Sequence, residues 1–224
     1  MAMPTSRMSS SLLLARGEYH VAALSHTPEL APLSANIQPS IDELVRHVAA
    51  RASATRALIP IRVGIRFQER AVEKQLRVLG AGATAIDGKR GGAVHAAVFP
   101  DGVSTETRPR GQRQVDAAHR VINRLTASSL AEPLRAAHLE PLTHATNALD
   151  AGLTARKRAT DVLGAAIAAE LATRDDFVSA YDSNVGAIRQ HFPKDPEQQE
   201  LYFDDATPRR GATDDEDEDV LESL

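Results

Sequence analysis

The chain has 224 residues, 42% of them apolar and only 4% aromatic, with no tryptophan, no cysteine and a formal charge of −4. This length allows one sizeable core with tails, and a core so poor in rings must be built from Leu, Val, Ile and Ala, which suits close-packed helices. The lack of cysteine excludes a disulfide framework, a thiolate zinc site and a cysteine nucleophile, and a cytoplasmic setting is expected.

The net charge conceals an asymmetry. From Glu200 onward ten acidic residues accompany Arg209 and Arg210, while the residues before it carry 24 basic and 20 acidic side chains. The body is mildly basic and the tail strongly acidic. Basic residues are mostly arginine, a bias that fits a GC-rich bacterial gene and assigns no function.

Residues 1–39 mix Ser, Leu and His without a sustained period, and Pro28, Pro32 and Pro39 punctuate them, so an extended, disordered arm is expected. In the first 20 residues the only apolar run, Leu12 to Ala15, is too short for a secretory signal, and no stretch of the chain approaches a membrane span. A helical bundle domain is expected over residues 40–192. It opens with Ser40 as N-cap and Glu43 completing a capping box. Ile41, Leu44, Val48, Ala52, Thr55 and Ile59 then recur at threes and fours. Beyond Pro60, Ile65, Val72, Leu76, Leu79, Ala83 and Ile86 resume the spacing, which predicts a helix kinked near Pro60 or two helices in series.

A short helix is expected from Ala93 to Phe99, a loop over "STETRPRG", and a further helix carrying Val115, Ala118, Ile122 and Leu125. Ser129 with Glu132 repeats the capping signal. From Leu142 to Phe192 a stripe runs through Thr146, Leu149, Leu153, Arg156, Thr160, Leu163, Ile167, Leu171, Arg174, Val178, Tyr181, Val185 and Ile188, always by threes and fours. This predicts one very long helix from about Leu130 to His191, with a hairpin at Thr173–Asp176 as the alternative. A helix of that length cannot bury its stripe against itself. The expected fold is therefore all-α, an elongated antiparallel bundle that self-associates into a homo-oligomer. The pattern of long Ala-rich helices with "FPDG" mid-chain and "HFPKDP" after the last helix resembles bacterial helical proteins at large, and the resemblance implies no activity.

Residues 193–224 read as a linker and disordered acidic tail. Asp214, Asp215, Glu216, Asp217, Glu218 and Asp219, followed by Val220, Leu221 and Leu224, have the composition of a docking peptide for a groove ringed by basic side chains, and an unidentified protein partner is expected for them.

Three other constellations bear on chemistry. Gly80, Gly82 and Ala85 match the letters of a dinucleotide-binding loop, which requires a strand before it and a helix after it. The alternative is a glycine-tolerant end of a packed helix, and Asp87-Gly88 with Gly91-Gly92, which break the required helix, favour it. Arg108, Arg110, Arg113, Arg120 and Arg124, together with Arg156, Lys157 and Arg158, could meet nucleic-acid phosphates, with the acidic tail as internal competitor, although stacking aromatics are missing. Glu140 and His144 share a helix face, and His138 points elsewhere, short of a metal set. The resulting expectation is a non-enzymatic structural or adaptor protein without metal or cofactor. An NAD(P)-dependent oxidoreductase using Gly80–Ala85 is the rival, and an arginine-based nucleic-acid-associated protein the third reading.

Overall fold

The computed structural model describes residues 3–204, and the acidic tail lies outside them. The described residues are helical throughout their regular structure, with no strand. In chain order the helices are α1 (Ser10–Leu24), α2 (Ser34–Asp87), α3 (Ala93–Val98), α4 (Val103–Thr107), α5 (Gln112–Ala127), α6 (Glu132–His191) and α7 (Pro196–Glu200). Short 3-10 turns at Ala31–Leu33 and Ser129–Ala131 lead into α2 and α6.

Helix α1 replaces the extended arm that the sequence suggests. Ser9 caps it, accepting a hydrogen bond from the Leu12 amide, and Pro4 and Pro28 both fall outside it. Its buried face runs through Leu13, Arg16, Gly17, His20 and Leu24, which has helical spacing. Three of those five residues are not aliphatic, so the face does not stand out as an apolar stripe. Helix α2 begins at Ser34 and continues through Pro39, ahead of the helix start expected at Ser40.

Both long helices pass through prolines without interruption. Pro60 in α2 and Pro141 in α6 are exposed, as are Arg56 and Ala137 four residues before them. A proline removes the N–H that would pair with the carbonyl four residues back. At an exposed position water can take that carbonyl, so helix α2, of 54 residues, remains one element. Helix α6, of 60 residues, likewise runs through Thr173–Asp176 with no hairpin; the buried Thr173 hydroxyl donates to the Ala169 carbonyl at 3.0 Å. Near its start the Arg135 guanidinium donates to the carbonyls of Leu125 (2.9 Å) and Ser128 (2.8 Å) and so satisfies acceptors at the end of α5.

The chain divides into two compact units, one comprising residues through Thr55 and from Thr160 on, the other Arg56–Ala159. In the first, Leu13 and Leu24 of α1, Ile37, Ile41 and Leu44 of α2, and Phe177, Tyr181, Val185 and Ile188 of α6 form the core, closed by Tyr202 and Phe203 beyond α7. Gly17 brings α1 close to its neighbours. A Cβ there would lie 2.8 Å from Phe177 Cε2 and 3.0 Å from Ile41. In the second unit Val72, Leu76 and Leu79 of α2 pack with Val94 and Val98 of α3, Val115, Val121 and Leu125 of α5, and Leu134, Leu142 and Leu149 of α6. Helix α5 keeps apolar residues on one side and Arg113, Asp116 and Arg120 exposed on the other, as its spacing predicts. Residues 103–107 form a helix where a loop is expected, contributing the half-buried Val103 to the core.

The α6 stripe is buried at Leu142, Thr146, Leu149, Leu163, Tyr181, Val185 and Ile188. It departs from expectation at Arg156 and Leu171, which are exposed, and at Phe177, which is fully buried while Val178 is only partly so. On α2 the core takes Leu58 and leaves Ile59 and Ile86 exposed.

Candidate functional site

The segment Gly80–Ala85 is the last part of α2, so the strand, turn and helix of a dinucleotide loop are absent. Its glycines serve packing. A Cβ on Gly80 would lie 2.5 Å from Val103 Cγ2, and one on Gly82 would lie 3.1 Å from His138 Nε2 and 3.2 Å from Leu134 Cδ2. Helices α4 and α6 thus approach the α2 backbone where side chains are missing. Thr84 turns its hydroxyl back to the Gly80 carbonyl at 2.9 Å, and α2 ends at Asp87. The Asp87 carboxylate accepts from the amides of Val94 (3.0 Å) and His95 (2.8 Å) and so caps α3 from seven and eight residues away.

Beside this segment lies an open hollow of about 760 Å³, lined by Gly80, Ala81 and Thr84 with Arg77, Arg90, His95, Ser104 and Thr107. It holds no carboxylate, and its polar groups are hydroxyls, arginines and one imidazole. A second hollow of about 450 Å³ takes Gln68, Gln75, Glu140 and His144 around Pro141. Glu140 and His144 both line it, as their shared helix face predicts, but among the described residues no three His, Asp or Glu side chains are grouped to hold a metal.

The arginine segment 108–124 is largely spent on buried glutamates. Glu106 receives Arg124 Nη1 at 2.7 Å and Arg120 Nη2 at 3.1 Å. Glu73 receives Arg77 Nη2 at 2.8 Å, Arg110 Nη2 at 3.2 Å and Arg70 Nη1 at 3.4 Å. Burial pushes the Glu73 carboxyl up, and the Arg77 hydrogen bond with the charges of Arg70, Arg77 and Arg110 outweighs it, so the net shift is downward. The shielding of Glu73 comes from guanidinium groups that are themselves more than half exposed. Arg156, Lys157 and Arg158 are exposed and make no ion pair among the described residues.

The first unit uses its polar groups differently. Glu170 is buried and accepts from the Ser10 hydroxyl; Arg174, equally buried, donates to Ser10 Oγ at 2.8 Å and to Glu170 Oε1 at 3.1 Å, while Arg51 approaches Glu170 Oε2 at 3.2 Å. A second polar cluster surrounds His20. Its Nδ1 donates to the Tyr202 carbonyl at 2.9 Å, and its Nε2 accepts from Asn184 Nδ2 at 3.2 Å. Asn184 also donates to the Leu33 carbonyl and accepts from Asn36. Tyr181 and Phe203 flank the imidazole at centroid distances of 4.8 and 5.4 Å. A carbonyl only accepts, so Nδ1 carries the proton; an amide nitrogen only donates, so Nε2 carries none and the ring is held neutral. Burial pushes the His20 pKa down, and the bond to Tyr202 raises it by less. His20 and Asn184 thereby tie the residues after α7 onto α1 and α6.

These clusters are not apparent in the sequence, where His20 lies in a segment without a sustained apolar period and Glu170 falls off the apolar stripe of its helix. The expected docking residues Asp214–Asp219, Val220, Leu221 and Leu224 lie outside the described residues. No family model, curated protein or solved structure matches the chain. No helix among the described residues is long and apolar enough to cross a membrane.

Proposed function

We propose that the chain is a non-enzymatic structural or adaptor protein, an antiparallel helical bundle that self-associates and presents Asp214–Asp219, Val220, Leu221 and Leu224 to a protein partner. The observation that carries this reading is the use made of the buried titratable groups. His20, Glu73, Glu106 and Glu170 are each bound by side chains or carbonyls that hold helices together. A general acid or base has to reach a substrate proton, and none of these four lines either hollow. The helical form of Gly80–Ala85 further supports this reading over the oxidoreductase.

Sedimentation of the full-length chain over a concentration series tests it, with species larger than the monomer expected. Titration with NADPH is the second arm. A saturable rise in cofactor fluorescence overturns the non-enzymatic reading, and an unchanged signal is expected.

A further inference from the structure

On α2 the second unit exposes large apolar side chains opposite its core. Ile59, Val63 and Phe67 are 58%, 48% and 74% exposed, and they follow one another by four residues. Arg56 precedes Ile59 by three and Arg70 follows Phe67 by three, so the five side chains form one helical ridge with an arginine at each end. Arg62 and Arg66 are exposed beside it. The sequence contains no carboxylate between Glu43 and Glu69, nor between Asp150 and Asp161. Gly152 packs on Gln68 and Ile65, and Gly82 on Leu134 and His138. This antiparallel register brings Arg156, Lys157 and Arg158 of α6 level with Pro60 to Arg62 of α2. The ridge is therefore apolar along its centre, with Arg56 and Arg70 at its ends and Arg62 and Arg66 along one side.

Such a face cannot cover itself. A second copy laid antiparallel on the ridge would set Arg56 against Arg70, and like charges repel. The matching composition is in the same chain, with six consecutive carboxylates at Asp214–Asp219 followed by Val220, Leu221 and Leu224. The ridge from Ile59 to Phe67 is about 12 Å long at 1.5 Å per residue. The stretch Val220 to Leu224 reaches at most about 14 Å.

We infer that the Arg56–Ile59–Val63–Phe67–Arg70 face of α2 is the docking site for residues 214–224 of a second copy of this chain. The three apolar tail side chains cover Ile59, Val63 and Phe67, and the carboxylates meet the surrounding arginines. The inference rests on the self-associating reading above and names the contact responsible. One face and one tail per copy make the contact head-to-tail, so assembly closes into a ring or continues as a chain. An acidic apolar peptide suits the ridge better than a phosphate backbone does, because phosphates would leave Ile59 and Val63 in water.

The test uses full-length protein and sedimentation equilibrium. Val63→Ser with Phe67→Ser, both at exposed positions, is expected to raise the dissociation constant at least about tenfold with unchanged helicity. Leu221→Ser with Leu224→Ser is expected to do the same from the other side. Arg56→Glu with Arg66→Glu abolishes assembly, and mixing that variant with one carrying Asp214→Lys and Asp217→Lys restores it. Raising salt weakens the native assembly. Assembly that survives both the face and the tail substitutions overturns the inference while leaving self-association intact. A native chain that stays monomeric at every concentration overturns the self-associating reading as well. A DNA probe that occupies the face and is not displaced by excess peptide of residues 214–224 overturns the choice of occupant.

Discussion

The two compact units both bury carboxylates against arginines, yet they shield them in different ways. In the first, Glu170 and Arg174 are 2% and 5% exposed, and both partners are enclosed with Ser10. In the second, Glu106 is buried while Arg120 remains 53% exposed, and Glu73 is covered by three arginines in contact with water. The same chemical pair therefore has different consequences. An enclosed pair has lost the solvation of both ions, so removing one partner strands the other. A carboxylate covered by solvated guanidinium groups leaves behind, when removed, cations that water already stabilises.

The largest expected effect follows from that contrast. Glu170→Ala removes the buried counter-charge of the Arg174 guanidinium and should destabilise the protein by about 3–5 kcal/mol, measured by urea denaturation; a loss no greater than that of Glu106→Gln would erase the distinction between the units. Next comes Gly17→Val. The new side chain meets Phe177, which is fully buried and cannot move aside, and a cost of about 1–3 kcal/mol is expected. A melting temperature equal to that of the native chain would show that α1 is not held as closely as described.

The pH dependence sharpens the comparison by separating the units along the titration axis. The folded-state pKa of His20 is lowered from 6.5. As the pH falls below that value the unfolded chain takes up a proton that the folded chain refuses, so stability contributed near His20 is present above pH 6.5 and declines below it. The decline is at most about 1.4 kcal/mol per pH unit. His20→Gln should remove the part of the pH dependence that sets in as the pH falls below 6.5; an identical profile for native and variant chains would contradict a neutral buried imidazole. Glu73, lowered from 4.5, acts further along. Its contribution is present above that pH and is lost as the pH falls through the folded-state value, so Glu73→Gln alters only the acid limb. The smallest effect belongs to Glu106→Gln, about 1 kcal/mol or less at moderate salt, decreasing as ionic strength rises. A salt-independent loss of several kcal/mol would place Glu106 in the class of Glu170.

The legible parts of the fold are those where one residue type repeats with helical period. Helices α3, α5 and α6 follow from spacing and punctuation, and Asp87 ends α2 where the Asp-Gly pair predicts. The glycines at 80 and 82 are legible as packing glycines because the breakers after them deny a nucleotide loop its helix. The α1 helix is obscured because Arg16, Gly17 and His20 occupy its inward face, and what Gly17 and His20 meet there, Phe177 and Asn184 of α6 and Tyr202, lies more than 140 residues away. Ile59 stands on the expected core stripe by its spacing of four from Thr55. An exposed proline leaves the helix continuous, and its phase instead buries Leu58 and turns Ile59, Val63 and Phe67 outward.

The sequence by itself determined that the described chain would be helical, where its longest helix would run, and that acidic charge would collect at one end against a basic body. Period and composition suffice for those, since backbone hydrogen bonds within a helix are local. Only the tertiary structure decided which polar residues lie inside, which arginines are spent on glutamates, and which apolar side chains of α2 are left in water. Those outcomes depend on which helix faces meet, and desolvation makes a charge tolerable inside only where its partner from a distant segment arrives.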